Sequence, residues 1–317
     1  MTMLSRRSFV SAAAAVAAAP SRAQSGPITI IIPFAAGGPT DIMGRIAGEG
    51  LSRQLGQRVV IENVGGAGGA TGVVRAMRAA PDGRTLVVGN LGTHGAAPSA
   101  TPNLPYDPTT DFEPVGMIAA TPIVLVVRNS FPASDLQEFA SVLRARPESF
   151  SYGHAGQGVT SHTAALLLLS TIGAMQTGVS YRGTAPALND LLVGVLDFIV
   201  DQSVIMVEQV KSRAVRAIAV AGDRRLASLP DVPSAAEQGH PGFSITAWNA
   251  LFAPKGTDPD IVAGLSRALA AALDEADTER RLAAFDAVIP KQGEERSAAW
   301  LRAHVETEVE RWRRIAR

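Results

Sequence analysis

The amino-acid sequence predicts an α/β protein built around a parallel sheet, with hints of two lobes. Three observations carry that expectation. Apolar runs of strand length alternate with amphipathic stretches of helix length. Glycine-rich turns stand between a strand and the helix that follows it. One such strand–loop–helix unit near the start, ITIIIPFAAGGPTD at 28–41, has a counterpart at 151–172.

Taken in order, 28–32 is an apolar strand, and 39–55 is a helix announced by Gly38 ahead of Pro39. A short strand at 59–62 leads into GGAGGATG at 65–72, a helix over 71–80, and the turn Pro81, Asp82, Gly83. A third strand covers 85–88. The passage TPNLPYDPTTDFEP, 101–114, holds four prolines and reads as a surface excursion. A strand at 123–127 precedes a helix at 135–144, for which Ser134 is the expected N-cap. Residues 151–152 enter GHAGQGVTSH and a helix at 161–172. The alternation continues as 179–181, a helix at 185–193 and a strand at 198–200. A strand at 217–220 is followed by the turn-rich connector RLASLPDVPSAAEQGHPGF and a strand at 245–253. Asp258 and Pro259 open a helix carrying Ile261, Leu265, Leu269 and Leu273 at helical spacing. The last helix presents Leu301, Val305, Val309 and Trp312 on one face.

Residues 1–23 read as an export signal rather than as part of the fold. Arg6 and Arg7 form a basic start, 9–19 is alanine-rich and apolar, and Ser21, Arg22, Ala23 make a small-x-small cleavage pattern. Ser5, Arg6, Arg7, Ser8 and Phe9 also fit a twin-arginine signal, so that route and general secretion both stand. The apolar stretch is too short to span a bilayer. Its removal takes three arginines from a balance of 29 basic and 29 acidic residues, leaving a slightly acidic chain. Nothing in that balance favours nucleic acid.

Several chemistries are excluded by their missing residues. There is no cysteine, hence no disulfide, thiolate metal site or cysteine nucleophile. No GxxxxGK[ST] occurs, and GGAGGATG lacks the GxGxxG register and follows the second strand, so neither nucleotide loop is expected. GxSxG and HExxH are absent, and DEAD at 274–277 is a charged helix end. His154 and His162 lie eight apart across a glycine loop, which is not metal-ligand spacing. No catalytic group, metal or cofactor is expected.

What remains is glycine at helix starts. Gly37 and Gly38 let the backbone approach a ligand closely, and the free N–H groups and dipole of the following helix favour an anion. Gly156, Gly158 and Thr160 repeat the arrangement ahead of the second helix. Asp41, third in its helix, either caps the backbone or touches the ligand.

These loops resemble those of the tripartite tricarboxylate transporter solute receptors, the Bug family of periplasmic binding proteins. The motifs that carry the resemblance are PFAAGGPTD (33–41), IENVGGAGGATG (61–72), PDGRTL (81–86) and YDPTTDFEPV (106–115). They continue through YGHAGQGVTSH (152–162), YRGTAPALNDLLVG (181–194), LPDVPSAAEQG (229–239) and WNALFAP (248–254). The resemblance implies a type II periplasmic-binding-protein fold, two α/β lobes with a ligand cleft between them. Lobe 1 would be 24–125 with 230–317 and lobe 2 would be 126–229.

It also implies that Phe34, Ala35, Ala36, Gly37, Gly38 and Asp41 grip a ligand carboxylate through backbone N–H groups and ordered waters. Gly156, Gln157, Gly158, Thr160 and His162 would face them, with Thr184 and Asp201 as walls and Asn90 and Thr93 as further contacts. Three departures bear on the distal contacts. Val64 and Gly65 stand where the family has a basic residue and a proline; His154 and Val159 replace two hydroxyls; and Asn249-Ala250 follows Trp248 where x-Gly is usual. The function implied is that of a monomeric periplasmic receptor, not an enzyme, delivering a small di- or tricarboxylate or related acid to a membrane permease. The same fold could instead present its ligand to a membrane sensor kinase.

Overall fold

The computed structural model describes residues 26–315, so the export signal read at 1–23 lies outside the described residues. The chain runs β1 (Ile28–Ile32), α1 (Pro39–Leu55), β2 (Val59–Asn63), α2 (Ala70–Met77) and β3 (Thr85–Asn90). A wide helical turn, Leu91–Ala96, passes into α3 (Ala97–Ala100), and then comes β4 (Phe112–Val127). Next are α4 (Leu136–Ala145), β5 (Ser151–His154), α5 (Thr160–Ile172), β6 (Thr177–Ser180), α6 (Thr184–Leu192), β7 (Phe198–Gln202) and α7 (Ser203–Lys211). The chain ends with β8 (Arg216–Val220), β9 (Thr246–Pro254), α8 (Pro259–Leu273), α9 (Ala276–Ala283) and α10 (Ala298–Ile315).

Two α/β lobes share one strand. In the first, β1 pairs in parallel with β2 and β3, and β9 runs antiparallel between β3 and β4. In the second, β5 lies parallel between β6 and β7. The long β4 belongs to both. Its residues from Phe112 to Pro122 pair with β9, and from Ile123 onward it pairs with β7 and β8. Pro122 has no N–H to donate, which suits the point where the strand changes partners. The sheets are therefore mixed rather than wholly parallel, because β4, β8 and β9 run against their neighbours.

Helices cover both faces of β4, which explains why its residues are buried almost without interruption. From α10, Leu301, Val305, Val309 and Trp312 pack in one core with Met117 and Phe252. From α8, Leu265, Leu269 and Leu273 join Val115 and Ile118 in the other. Each such side chain contributes about 1.5–3 kcal/mol by leaving water. Ile261, expected on the same stripe, is 38% exposed in the first turn of α8.

Some elements differ from expectation for identifiable reasons. The surface excursion expected over 101–114 ends at Asp111, and the strand expected at 123–127 reaches back to Phe112; register shifts near Pro114 and Met117 absorb the irregularity. The helix α7 starts directly from β7, without glycine or proline to announce it. The acidic stretch 274–277 is a helix–helix junction: Asp274 ends α8, Glu275 begins α9. The N-cap of α4 is Asp135, whose carboxylate accepts the Glu138 N–H at 2.8 Å; Ser134 instead donates to the Glu138 side chain. After β8, residues 233–243 stay with the second lobe, through bonds such as Ala235 N–H to the Val220 carbonyl at 2.8 Å.

Close helix–loop contact fixes where the first glycine loop can sit. A Cβ on Gly72 of α2 would lie 2.6 Å from the Val64 oxygen and 2.8 Å from Pro33 Cα, both backbone atoms. Gly72→Ala is therefore expected to lower stability by about 1–3 kcal/mol in urea unfolding, since neither neighbour can rotate away.

Candidate ligand-binding site

The two lobes meet around a cavity lined from both sides. Four helices begin at it: α1 from the first lobe, and α5, α6 and α7 from the second. Their N-cap residues are Gly38, Val159, Gly183 and Gln202, and none bonds its own helix through a side chain. By contrast, α4 and α8 begin on Asp135 and Asp258, whose carboxylates accept backbone N–H groups. The first-turn N–H groups at the cavity are thus left for another acceptor, and the helix dipoles add positive potential there.

Local sequence explains each start. After β1, Gly37 has a φ of +80°, which turns the chain so that Gly38 and Pro39 can open α1. The loop is held from behind by Asp41. Its carboxylate accepts Gly37 N–H and Arg45 Nε at 2.9 Å each, and Asn63 Nδ2 at 2.8 Å. Asn63 Nδ2 also reaches the Phe34 carbonyl at 3.1 Å. Burial pushes the Asp41 pKa up, but the bonds from Arg45, Gly37 and Asn63 outweigh it and hold the group below its ordinary value. Asp41 is buried and does not line the cavity: it caps and braces the loop.

On the facing side, the loop after β5 passes Ala155 to Val159 and delivers Thr160 and Ser161 as the first residues of α5. Ser161 Oγ accepts the Ala155 N–H at 3.0 Å. Thr160 Oγ1 is buried at the cavity and has no hydrogen-bond partner within the chain. Thr184 starts α6 and donates its hydroxyl to Asp201 Oδ2, while Asp201 Oδ1 accepts Gln202 N–H at 2.8 Å. Gln202 Oε1 accepts Thr121 Oγ1 at 2.6 Å and Asn249 Nδ2 at 3.0 Å. Asn90 donates to Thr40 Oγ1 at 3.0 Å and accepts the Thr93 N–H at 3.0 Å.

Of the residues singled out from the sequence, Phe34, Gly38, Asn90, Thr160, Thr184 and Asp201 line the cavity. The others stand behind or beside it. Ala35 N–H bonds the Arg182 carbonyl at 3.1 Å, and a Cβ on Gly37 would meet Ala185, so 35–37 lie along the lobe contact with Ala36 between them. Gly156 and Gln157 touch the Gly68 loop, and Gly158 packs on Ala100. Thr93 caps the turn after β3. The ring of His162 sits 4.4 Å from that of His154, outside the cavity, with its pKa pushed down to about 4 by burial and by His154. Thr40, Ser161 and Gln202 also line the cavity. Gln202 was hidden because α7 was; Thr40 and Ser161 stand beside residues already marked, at the second position of their helices. Among the described residues, no group of three or more His, Asp or Glu side chains is placed to hold a metal ion.

Two lobes closing on a cavity rimmed by helix starts define a periplasmic-binding-protein fold. The description "tripartite tricarboxylate transporter family receptor" matches residues 43–317, and the chain belongs to that family. Protein BugT of Bordetella pertussis is 33% identical over 92% of this chain and 88% of its own. Among solved structures, MatC from Rhodopseudomonas palustris with bound malate aligns with a TM-score of 0.89 at 42% identity, covering 92% of this chain and 99% of its own. An R. palustris protein with adipate aligns with a TM-score of 0.86 at 32% identity, covering 92% and 96%. No helix among the described residues is long and apolar enough to cross a membrane.

The Asp41 brace has a measurable consequence. Its folded pKa is depressed, so its contribution is present above the ordinary carboxylate pKa and is lost as pH falls through the lower folded value. Asp41→Ala is expected to cost about 1–3 kcal/mol in urea unfolding at pH 7, because Gly37 N–H and the Asn63 amide lose their acceptor. The difference from the parent should shrink below about pH 4.

Proposed function

We propose that the chain is an exported, periplasmic receptor. Its lobes close on one small organic acid, a di- or tricarboxylate or a relative, and deliver it to the permease of a tripartite tricarboxylate transporter. One observation carries the proposal: four helix starts without side-chain caps converge on one cavity, with no lysine or arginine among its lining residues. Such a set of neutral donors holds a carboxylate without a permanent ion pair, which suits a carrier that must release its load. The family membership supports the transporter role, and the relatives that hold malate and adipate support the class of ligand.

The ligand is held by Phe34, Gly38 and Thr40 on one side, and by Thr160, Ser161, Thr184 and Asp201 on the other. Asn90 fixes Thr40 from behind. Asp41 acts by positioning the loop. Binding is reversible and leaves the acid unchanged.

Of the two bodies, one within 24–125 and 230–317 and the other 126–229, the bonds of 233–243 argue that this connector travels with the second rather than the first. Ligand stabilises the closed arrangement, and that arrangement is what the permease recognises. The closing surfaces are small: Phe34 packs on Ala155 and Val159, and Gly68 approaches the Gln157 carbonyl.

A thermal-shift screen of small carboxylic acids tests binding. An acid at a hundred times its Kd should raise stability by about 2.7 kcal/mol. A Cβ on Gly38 meets only ordinary contacts, 3.6 Å from the Ala35 oxygen and 3.9 Å from Thr184 N, so the backbone accepts a side chain there. Gly38→Leu, whose larger side chain enters the cavity, should remove the thermal response at unchanged ligand-free stability. A response equal to the parent's would contradict the site.

A further inference from the structure

Asp201 is the single ionisable side chain in the cavity wall. It is 2% exposed, and its two partners, the Thr184 hydroxyl and the Gln202 N–H, are neutral donors. A carboxylate so placed keeps its charge only against a desolvation cost. A ligand carboxylate entering the same low-dielectric cavity would meet it as a like charge. Two arrangements remove that repulsion. Either the ligand turns a hydrogen-bond donor toward Asp201, or one proton is held between the two carboxylates. We propose that Asp201 is the specificity-determining acceptor of the cavity, selecting hydroxy acids, or dicarboxylates taken up together with one proton from solvent. The inference rests on the receptor role proposed above and names the chemistry its ligand must bring.

The surroundings of Asp201 fit the proton-linked form. Burial pushes its pKa up to about 6, against the bonds from Thr184 and Gln202. The titratable side chains on the elements packed around β7 are Tyr152 and His154 on β5, His162 on α5, Asp190 on α6, Glu208 and Lys211 on α7, and Glu113 on β4. None is hydrogen-bonded or ion-paired to Asp201. His154 pairs with the Gly156 carbonyl, His162 with Gly158 N–H, and Asp190 with the Tyr181 hydroxyl. Glu113 bonds Arg302, and Glu208 lies 4.0 Å from Lys211. The charge at the cavity wall is therefore governed by Asp201 itself.

Malate and succinate, which differ by one hydroxyl, form the test pair. Calorimetric titration in buffers of different ionisation enthalpy counts protons taken up on binding. At pH 7.5 succinate should bind with uptake of about one proton and malate with almost none. Succinate affinity should fall about tenfold per pH unit above pH 6, while malate affinity changes less than about threefold. Asp201→Asn should remove both the slope and the preference for malate. Thr184→Val, which takes one donor from Asp201 and so raises its pKa, should move the onset of succinate loss to higher pH. Equal affinity for both acids at pH 8 without proton uptake overturns the inference and leaves the receptor role standing, as does an unchanged slope in Asp201→Asn. If no acid of the wider screen binds the parent protein at any pH, the receptor role falls and this inference with it.

Discussion

The structure depends on backbone N–H groups at helix starts that their own sequence does not cap. A helix leaves its first N–H groups without intrahelical partners, and a buried donor must find an acceptor elsewhere. At α4 and α8 an aspartate supplies it. At α1, α5, α6 and α7 the N-cap residue is glycine, valine, glycine or a glutamine turned to Thr121 and Asn249. Bringing those four starts to one cavity concentrates donors and positive potential without a lysine or arginine among its lining residues. Under the proposed function, that arrangement suits a carboxylate that is held and then released.

Everything around the cavity serves to aim those starts. The shared strand β4 ties the sheets together at Pro122 and Ile123, so the helices that follow β1, β5 and β7 can face one another. The Asp41, Arg45 and Asn63 network holds the first loop against its own helix. Contact between the lobes uses glycine and small apolar residues. A Cβ on Gly92 would stand 2.6 Å from Val159 Cα, and one on Gly183 would stand 3.1 Å from Ala35 N. The lobes touch closely where side chains are smallest.

Much of this was legible in the sequence, where local rules and tertiary demands agree. Gly38 before Pro39 marks the start of α1, and the glycine loop at 156–158 precedes α5; Gly37, Gly156 and Gly158 take positive φ, which few other residues supply. Legibility failed where one element runs straight into another. The strand expected at 123–127 falls short of β4, because prolines at 114 and 122 are tolerated there only through its bulges and its switch of partners. The start of α7 at Ser203 carries no breaker, so Gln202 was not seen as a cavity residue. Asp41 had two roles open to it in the sequence. The choice depended on Asn63, 22 positions away, which meets its carboxylate only in the folded chain. The polarity of the cavity was half visible: Asp201 could be named, but not that its hydrogen-bond partners are the neutral Thr184 hydroxyl and Gln202 N–H.

The central claim, that neutral helix-start donors hold a carboxylate, is tested most directly by calorimetric titration with an acid and its primary amide. The amide keeps shape and size but loses the negative charge and one acceptor. For the tightest-binding acid of a carboxylate panel, the account predicts measurable binding of the acid and an affinity for the amide lower by at least about a hundredfold. Equal affinities for the two would contradict it, since the converging helix starts would then hold no anion.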